Sequence, residues 1–217
     1  MMNLQLGYNA DIVITRVARE DEHGNRNAKV KGSCDSYLVN GLDAIKQIYG
    51  VKKDVGWQAV GKIFRKSLLL DVKFPHGYYE DCACLYLALV NCTKVAIGDY
   101  LNNYHYIVRD GSITTGKMND MHYRAFDICD EFDSFVATRM NGDRIVSVGF
   151  KRNMVVQLLN LVKMSENEYK ECFLKYRALF RRELFGYLTK SGDALKGKIV
   201  FALLCTTPKL YYLLKHK

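Results

Sequence analysis

The chain has 217 residues, 49% hydrophobic and 12% aromatic, which suits one good core, or one domain with an appendage, and excludes a disordered chain. No apolar run reaches the roughly 18 residues that a membrane-spanning helix needs, and Met1-Met2-Asn3-Leu4-Gln5-Leu6 lacks the basic-then-apolar pattern of a secretory signal. The net charge of +9 is unevenly placed, because residues 151–217 carry 14 Lys and Arg against 5 Asp and Glu while residues 1–150 carry 18 of each sign.

In chain order, Ala10 to Thr15 is a β-branched run that predicts a short buried strand. Glu20 to Asn25 is a polar turn, with His23 a solvated loop residue, and Lys29-Val30-Lys31 predicts a short return strand. From Ser36 to Tyr49, apolar residues at helical spacing predict a helix that ends at Gly50. Gly56 to Phe64 holds the single tryptophan, Trp57, and Lys62, ahead of a second helix over residues 65–70. Trp57 suits two roles equally, stacking on a sugar ring or filling a core. Lys62 suits a solvated helix start better than a phosphate ligand.

Phe74-Pro75-His76-Gly77-Tyr78-Tyr79-Glu80-Asp81 is a bend, forced by Pro75 and Gly77, that delivers two carboxylates to the start of an apolar helix over residues 82–93. Unpaired N–H groups in a helix's first turn favour the charged carboxylate. Such a group either caps the helix or, ionised on a pinned turn, takes a proton from a substrate hydroxyl. Residues 94–97 and 99–105 predict two more strands, with Tyr100, Tyr104 and Tyr106 on one face. Arg109, in the turn that follows, offers a planar fork suited to a diphosphate, or pairs with Asp110 or Glu80 at the surface. Residues 118–140 predict a long helix whose Asp127, Asp130 and Asp133 form an acidic, solvated stripe. Beyond it, the basic part predicts a helix to Lys163, another from the capping box at Ser165 and Glu168, a break over residues 186–197, and a last helix opened by Pro208. These helices either pack on their own core or lie in an anionic membrane interface. Their dispersed charges, without a recognition motif, argue against nucleic acid. The fold class is α/β, with a boundary between residues 146 and 147. The seven cysteines, without a C-x-x-C pair, predict reduced thiols of a cytosolic protein rather than a zinc site.

Three pieces stand in a telling order: Gly61-Lys62-Ile63-Phe64-Arg65-Lys66-Ser67-Leu68-Leu69, then Phe74-Pro75-x-Gly77-x-x-Glu80-Asp81, then Tyr104-x-Tyr106-x-x-Arg109-x-x-Ser112-Ile113-Thr114. Together they resemble the second half of a glycosyltransferase family 2 enzyme. The resemblance covers residues 11–127 and implies a partial A-type glycosyltransferase domain over residues 1–146. It implies inverting transfer from a nucleotide sugar to a glycan or lipid-linked acceptor, in the cytoplasm, at the inner face of the cell membrane. Asp81 would be the general base, Glu80 would support it, Arg109 would face the leaving diphosphate, and Trp57, Lys62 and Ser112 would line the substrate. Two departures stand out. Gly61 replaces the family's usual Asn. The Asp-x-Asp pair that holds Mg²⁺ or Mn²⁺ on the diphosphate is missing, since no two aspartates lie two apart. The expectation is a chain without its donor half, completed by a partner chain if active. The competing expectation is a non-catalytic acceptor-binding or assembly subunit, or an inactive remnant.

Overall fold

The computed structural model describes residues 1–25, 36–50, 56–98, 104–109, 116–162 and 166–215. The return strand expected at Lys29 to Lys31, together with Tyr100, Asp110, Ser112 and Ser165, lies outside these. The protein is mixed α/β. It divides into two compact units, residues 1–48 with 53–115 and residues 49–52 with 116–217.

The first unit is organised on β1 (Ile12–Thr15), buried along its whole length. β1 lies inside a four-stranded sheet of order β3-β5-β1-β4. β5 (Val95–Gly98) runs parallel to it, β4 (Lys62–Phe64) antiparallel, and β3 (Ser36–Val39) antiparallel on the far side of β5. Two parallel neighbours buried on both faces explain why β1 and β5 read as continuous apolar runs. Helix α1 (Met2–Tyr8) packs against this pair. A separate parallel ribbon joins β2 (Ala18–Glu20) to β6 (His105–Ile107).

Helix α2 (Gly41–Ile45) packs on α3 (Glu80–Leu89). The approach is close enough that a Cβ on Gly41 would meet the Leu89 carbonyl oxygen at 1.8 Å. The helix expected from Ser36 therefore starts five residues late. Asn40 is extended, and its side chain accepts from the Asp43 N–H, which marks a helix start. The four residues before it pair with β5 instead. The expected helix over residues 65–70 is a 3₁₀ turn, Lys66–Leu69, behind the unpredicted strand β4.

The second unit is helical. Its α4 (Arg124–Arg139) follows a 3₁₀ turn, Asp120–Tyr123, capped by the Asn119 side chain. That cap is why the helix expected from residue 118 begins late. Asn141 and Gly142, both at positive φ, reverse the chain, and Asp143 caps α5 (Arg144–Leu161). Tyr49 stacks on Phe132 at 4.9 Å, and Phe150 closes the cluster. The boundary expected at residue 146 falls inside this unit, where α4 and α5 pack together.

The expected continuous helix from Ser165 is two helices, α6 (Glu166–Leu174) and α7 (Arg177–Lys190). The hydroxyl of Tyr176, between them, donates to the Phe126 carbonyl at 3.2 Å and to Asp130 at 3.1 Å. Gly186 lies within α7, so the break is shorter than expected. Helices α8 (Leu195–Thr206) and α9 (Pro208–Lys215) follow. The acidic stripe is exposed, as expected, and each of its aspartates pairs with a cation. Asp127 pairs with Arg124, Asp130 with Lys175 at 3.0 Å, and Asp133 with the buried Lys151 at 2.6 Å.

Among the described residues the most deeply buried ion pair is Arg152 with Asp193, 2.9 Å apart and each 8% exposed. Tyr187 donates to the same carboxylate at 3.1 Å. A Cβ on Gly197 would lie 2.0 Å from Asp193 Oδ2, so the glycine leaves room for that carboxylate at the start of α8. Removing one partner of a buried pair strands the other charge. Asp193→Ala is therefore expected to cost about 3–5 kcal/mol in urea unfolding, and Gly197→Ala to destabilise in the same direction.

Candidate functional site

Two stretches far apart in sequence meet at the start of α3. The first is the turn over residues 56–61. Gly61 has φ +71°, and a Cβ there would stand 3.0 Å from Val17 Cγ2 and 3.1 Å from the Thr15 carbonyl oxygen. Its carbonyl accepts from the Thr15 N–H at 2.9 Å and from the Thr15 hydroxyl at 3.1 Å. The turn is thus fastened to the end of β1 just before β4 begins. Lys62 Nζ folds back and donates to the carbonyls of Gly56, at 2.8 Å, and Gln58.

The second stretch is the bend over residues 74–81. Gly77 has φ +110° and Tyr79 has φ +64°. A buried aromatic residue in the left-handed region is uncommon and carries backbone strain. This conformation at the residue before α3 aims Asp81 back at the first stretch. Asp81 Oδ2 accepts from the Ala59 N–H at 3.3 Å, and Oδ1 from the Cys82 N–H at 2.8 Å.

The electrostatics follow from burial. Burial pushes the Asp81 carboxyl above its ordinary value; the Cys82 and Ala59 N–H groups oppose this, and the neighbouring Glu80 charge adds to it. The helix-start N–H groups do bond the carboxylate, as expected, but desolvation outweighs them. Burial also lowers the Lys62 ammonium to about 8, partly offset by the Asp81 charge. Glu80 itself is exposed. Desolvation leaves Asp81 more basic than a solvated aspartate, as a proton acceptor needs to be.

The other expected site residues lie differently. Trp57 is half-buried, within the turn that Lys62 fastens. Arg109 is exposed past β6, and its Nε lies 3.9 Å from Glu22; the expected partner Asp110 lies outside the described residues. Among the described residues no three His, Cys, Asp or Glu side chains gather into a group that could hold a metal. The cysteines at 82, 84, 92, 129, 172 and 205 are all buried free thiols, and burial pushes Cys84 and Cys92 up to about 12.

Sequence reasoning missed the Ala59 amide and the Gly56 and Gln58 carbonyls, because backbone groups leave no mark on residue type. The glycine at position 61, where the resemblance expects asparagine, was the signal of this turn that the sequence carried. Neither protein-family models nor curated proteins gave a match to this chain.

A carboxylate whose folded value is raised costs stability at neutral pH, and the cost disappears as pH falls through the folded value toward the unfolded one. Asp81→Asn should therefore melt at the same temperature as wild type or higher at pH 7. The advantage should shrink on approaching pH 4. Paired thermal melts check this; a variant less stable at pH 7 would make Asp81 chiefly a helix cap.

Proposed function

We propose that this chain is the acceptor-side part of an inverting, nucleotide-sugar-dependent glycosyltransferase of the family 2 kind, on an A-type fold. The observation that carries this is the meeting of Gly61-Lys62 with Glu80-Asp81 through the Ala59–Asp81 hydrogen bond. Two pieces that the resemblance ranks together in sequence thus adjoin in space. The departure at Gly61 supports it too. At φ +71°, glycine and asparagine are the residues that the left-handed region favours.

In this chemistry Asp81 accepts the proton of an acceptor hydroxyl. The oxygen attacks the anomeric carbon of the donor, the bond from that carbon to the diphosphate breaks, and the nucleoside diphosphate departs with the electron pair. Configuration at the carbon inverts. Glu80 keeps Asp81 basic by adding negative charge. Trp57 offers a ring face to the acceptor. Arg109 exchanges its long contact with Glu22 for the leaving diphosphate, and the resemblance gives Ser112 to the substrate. The donor half, with its Mg²⁺ or Mn²⁺ ligands, comes from outside these 217 residues. A second reading, an acceptor-binding subunit without turnover, draws on the missing Asp-x-Asp pair.

The basic helices give this activity a place. No helix among the described residues is long and apolar enough to cross a membrane. On α9, Tyr211 and Tyr212 are buried, and Tyr212 donates to the Val162 carbonyl at 2.9 Å. Leu210, Leu213 and Leu214 on the same helix are 46%, 49% and 61% exposed. Exposed leucines on an anchored helix beside Lys209 suit the surface of an anionic bilayer, at the inner face of the cell membrane.

Two outcomes are expected. With UDP- and GDP-sugars and Mn²⁺, the chain alone shows no family-like turnover. Joined to a nucleotide-sugar-binding half that carries an Asp-x-Asp pair, it turns over, and Asp81→Asn then lowers kcat about 10²–10⁴-fold. Full loss from Glu80→Gln with Asp81→Asn tolerated would assign the base to Glu80. Separately, the chain should sediment with anionic but not neutral vesicles at low salt, and Leu213→Ser with Leu214→Ser should weaken this. A chain that stays in the supernatant would make the charge a solvated face.

A further inference from the structure

Lys62 holds a part of its own chain. Its ammonium spans two carbonyls of one short turn, that of Gly56 at 2.8 Å and that of Gln58. Between and beside those carbonyls lie Trp57 and Ala59. The Ala59 N–H is the donor that reaches Asp81 from the 56–61 turn. The turn's other end is held separately, by the two Thr15 bonds to the Gly61 carbonyl. Lys62 itself begins β4, opposite Ile14 of β1. Its backbone is therefore fixed by the sheet, and its side chain reaches back to the Gly56 end of the turn.

We infer that Lys62 is a positioning residue, an ammonium staple that holds the 56–61 turn closed so that the Ala59 amide meets Asp81 and Trp57 is carried beside it. The role of the Asp81 end rests on the glycosyl-transfer reading, but the staple itself does not. An ammonium suits the task because its three N–H groups can serve two carbonyls at once. A neutral side chain of the same length would leave those carbonyls without their charge-assisted donors.

The staple is sensitive to pH. Burial puts the Lys62 ammonium at about 8, and the groups acting on it are Asp81 and Cys82 of α3. Glu80 acts in turn on Asp81. Raising pH through about 8 removes the charge from the staple. The turn then loses its charge-assisted bonds, and the base loses a positive neighbour.

Carbon-detected NMR of the full chain tests this without donor, acceptor or turnover, so its failure is separate from failure of the glycosyl-transfer reading. In the wild type, the carbonyl carbons of Gly56 and Gln58 should titrate together with a midpoint near 8. In Lys62→Met, amide exchange at Ala59 should quicken roughly tenfold, the worth of one lost hydrogen bond. The Asp81 carboxyl midpoint should move upward, while the β1 amides keep their protection. Carbonyls with no inflection near 8, or a Lys62→Met protein whose Ala59 and Asp81 behave as in the wild type, would overturn the staple. Should Lys62→Met fail to fold, the wild-type titration alone decides.

Discussion

The hydrogen bond from the Ala59 amide to Asp81, across 22 residues of sequence, is the contact on which the rest of the first unit's site depends. It needs the bend at Gly77 and Tyr79 ahead of α3, and the left-handed Gly61 to let the turn run into β4 beside the end of β1. It also needs β4 in register with β1, Ile14 opposite Lys62, since a slip of one residue would send the Lys62 side chain to the other face. Asp81 is desolvated by the same packing that fixes it. A basic carboxylate and a rigid one thus share a single cause.

The second unit solves a different problem. It packs aromatic rings densely, Tyr49 with Phe132 and Phe150, and Tyr187 on Phe201 at 4.1 Å. It also buries two cations, Lys151 and Arg152, on one helix. Each has an aspartate from another segment, Asp133 on α4 and Asp193 in the α7–α8 break. Buried pairs of this kind add little net stability but penalise any arrangement that separates them. Part of the strong positive charge of the C-terminal third is therefore internal. The rest lies on the outer faces, where Phe185, Leu195 and Ile199 are also exposed.

Much of the fold was legible where the pattern was strong. The runs Ile12–Thr15 and Val95–Gly98 are strands, the apolar run after Asp81 is a helix, and Asn141-Gly142-Asp143 ends one helix and starts the next. The errors came where local chemistry overrode periodicity. Tyr37 and Leu38 sit at helical spacing with Leu42, but Asn40 caps a helix only from Gly41 onward and β5 offered a ladder to the residues before it. The aspartates at 127, 130 and 133 are exposed as their spacing suggested, but the pairing of Asp133 with Lys151 and Asp130 with Lys175 was not legible, because those partners lie far along the chain. At the site, the two carboxylates and Lys62 were legible by type. Their connection was not, because it runs through backbone groups of Gly56, Gln58 and Ala59.

The central claim is that the surface around Asp81 receives the hydroxyl of a glycan acceptor. The most direct measurement is amide chemical-shift mapping of the chain titrated with a panel of glycans and lipid-linked sugars. A fitting acceptor should perturb Ala59, Lys62 and the first turn of α3 from Glu80 to Ala83, with Asp81→Asn retaining that binding. Perturbations confined to the α7–α9 helices, or none with any glycan while another class of ligand shifts the Asp81 region, would contradict the account.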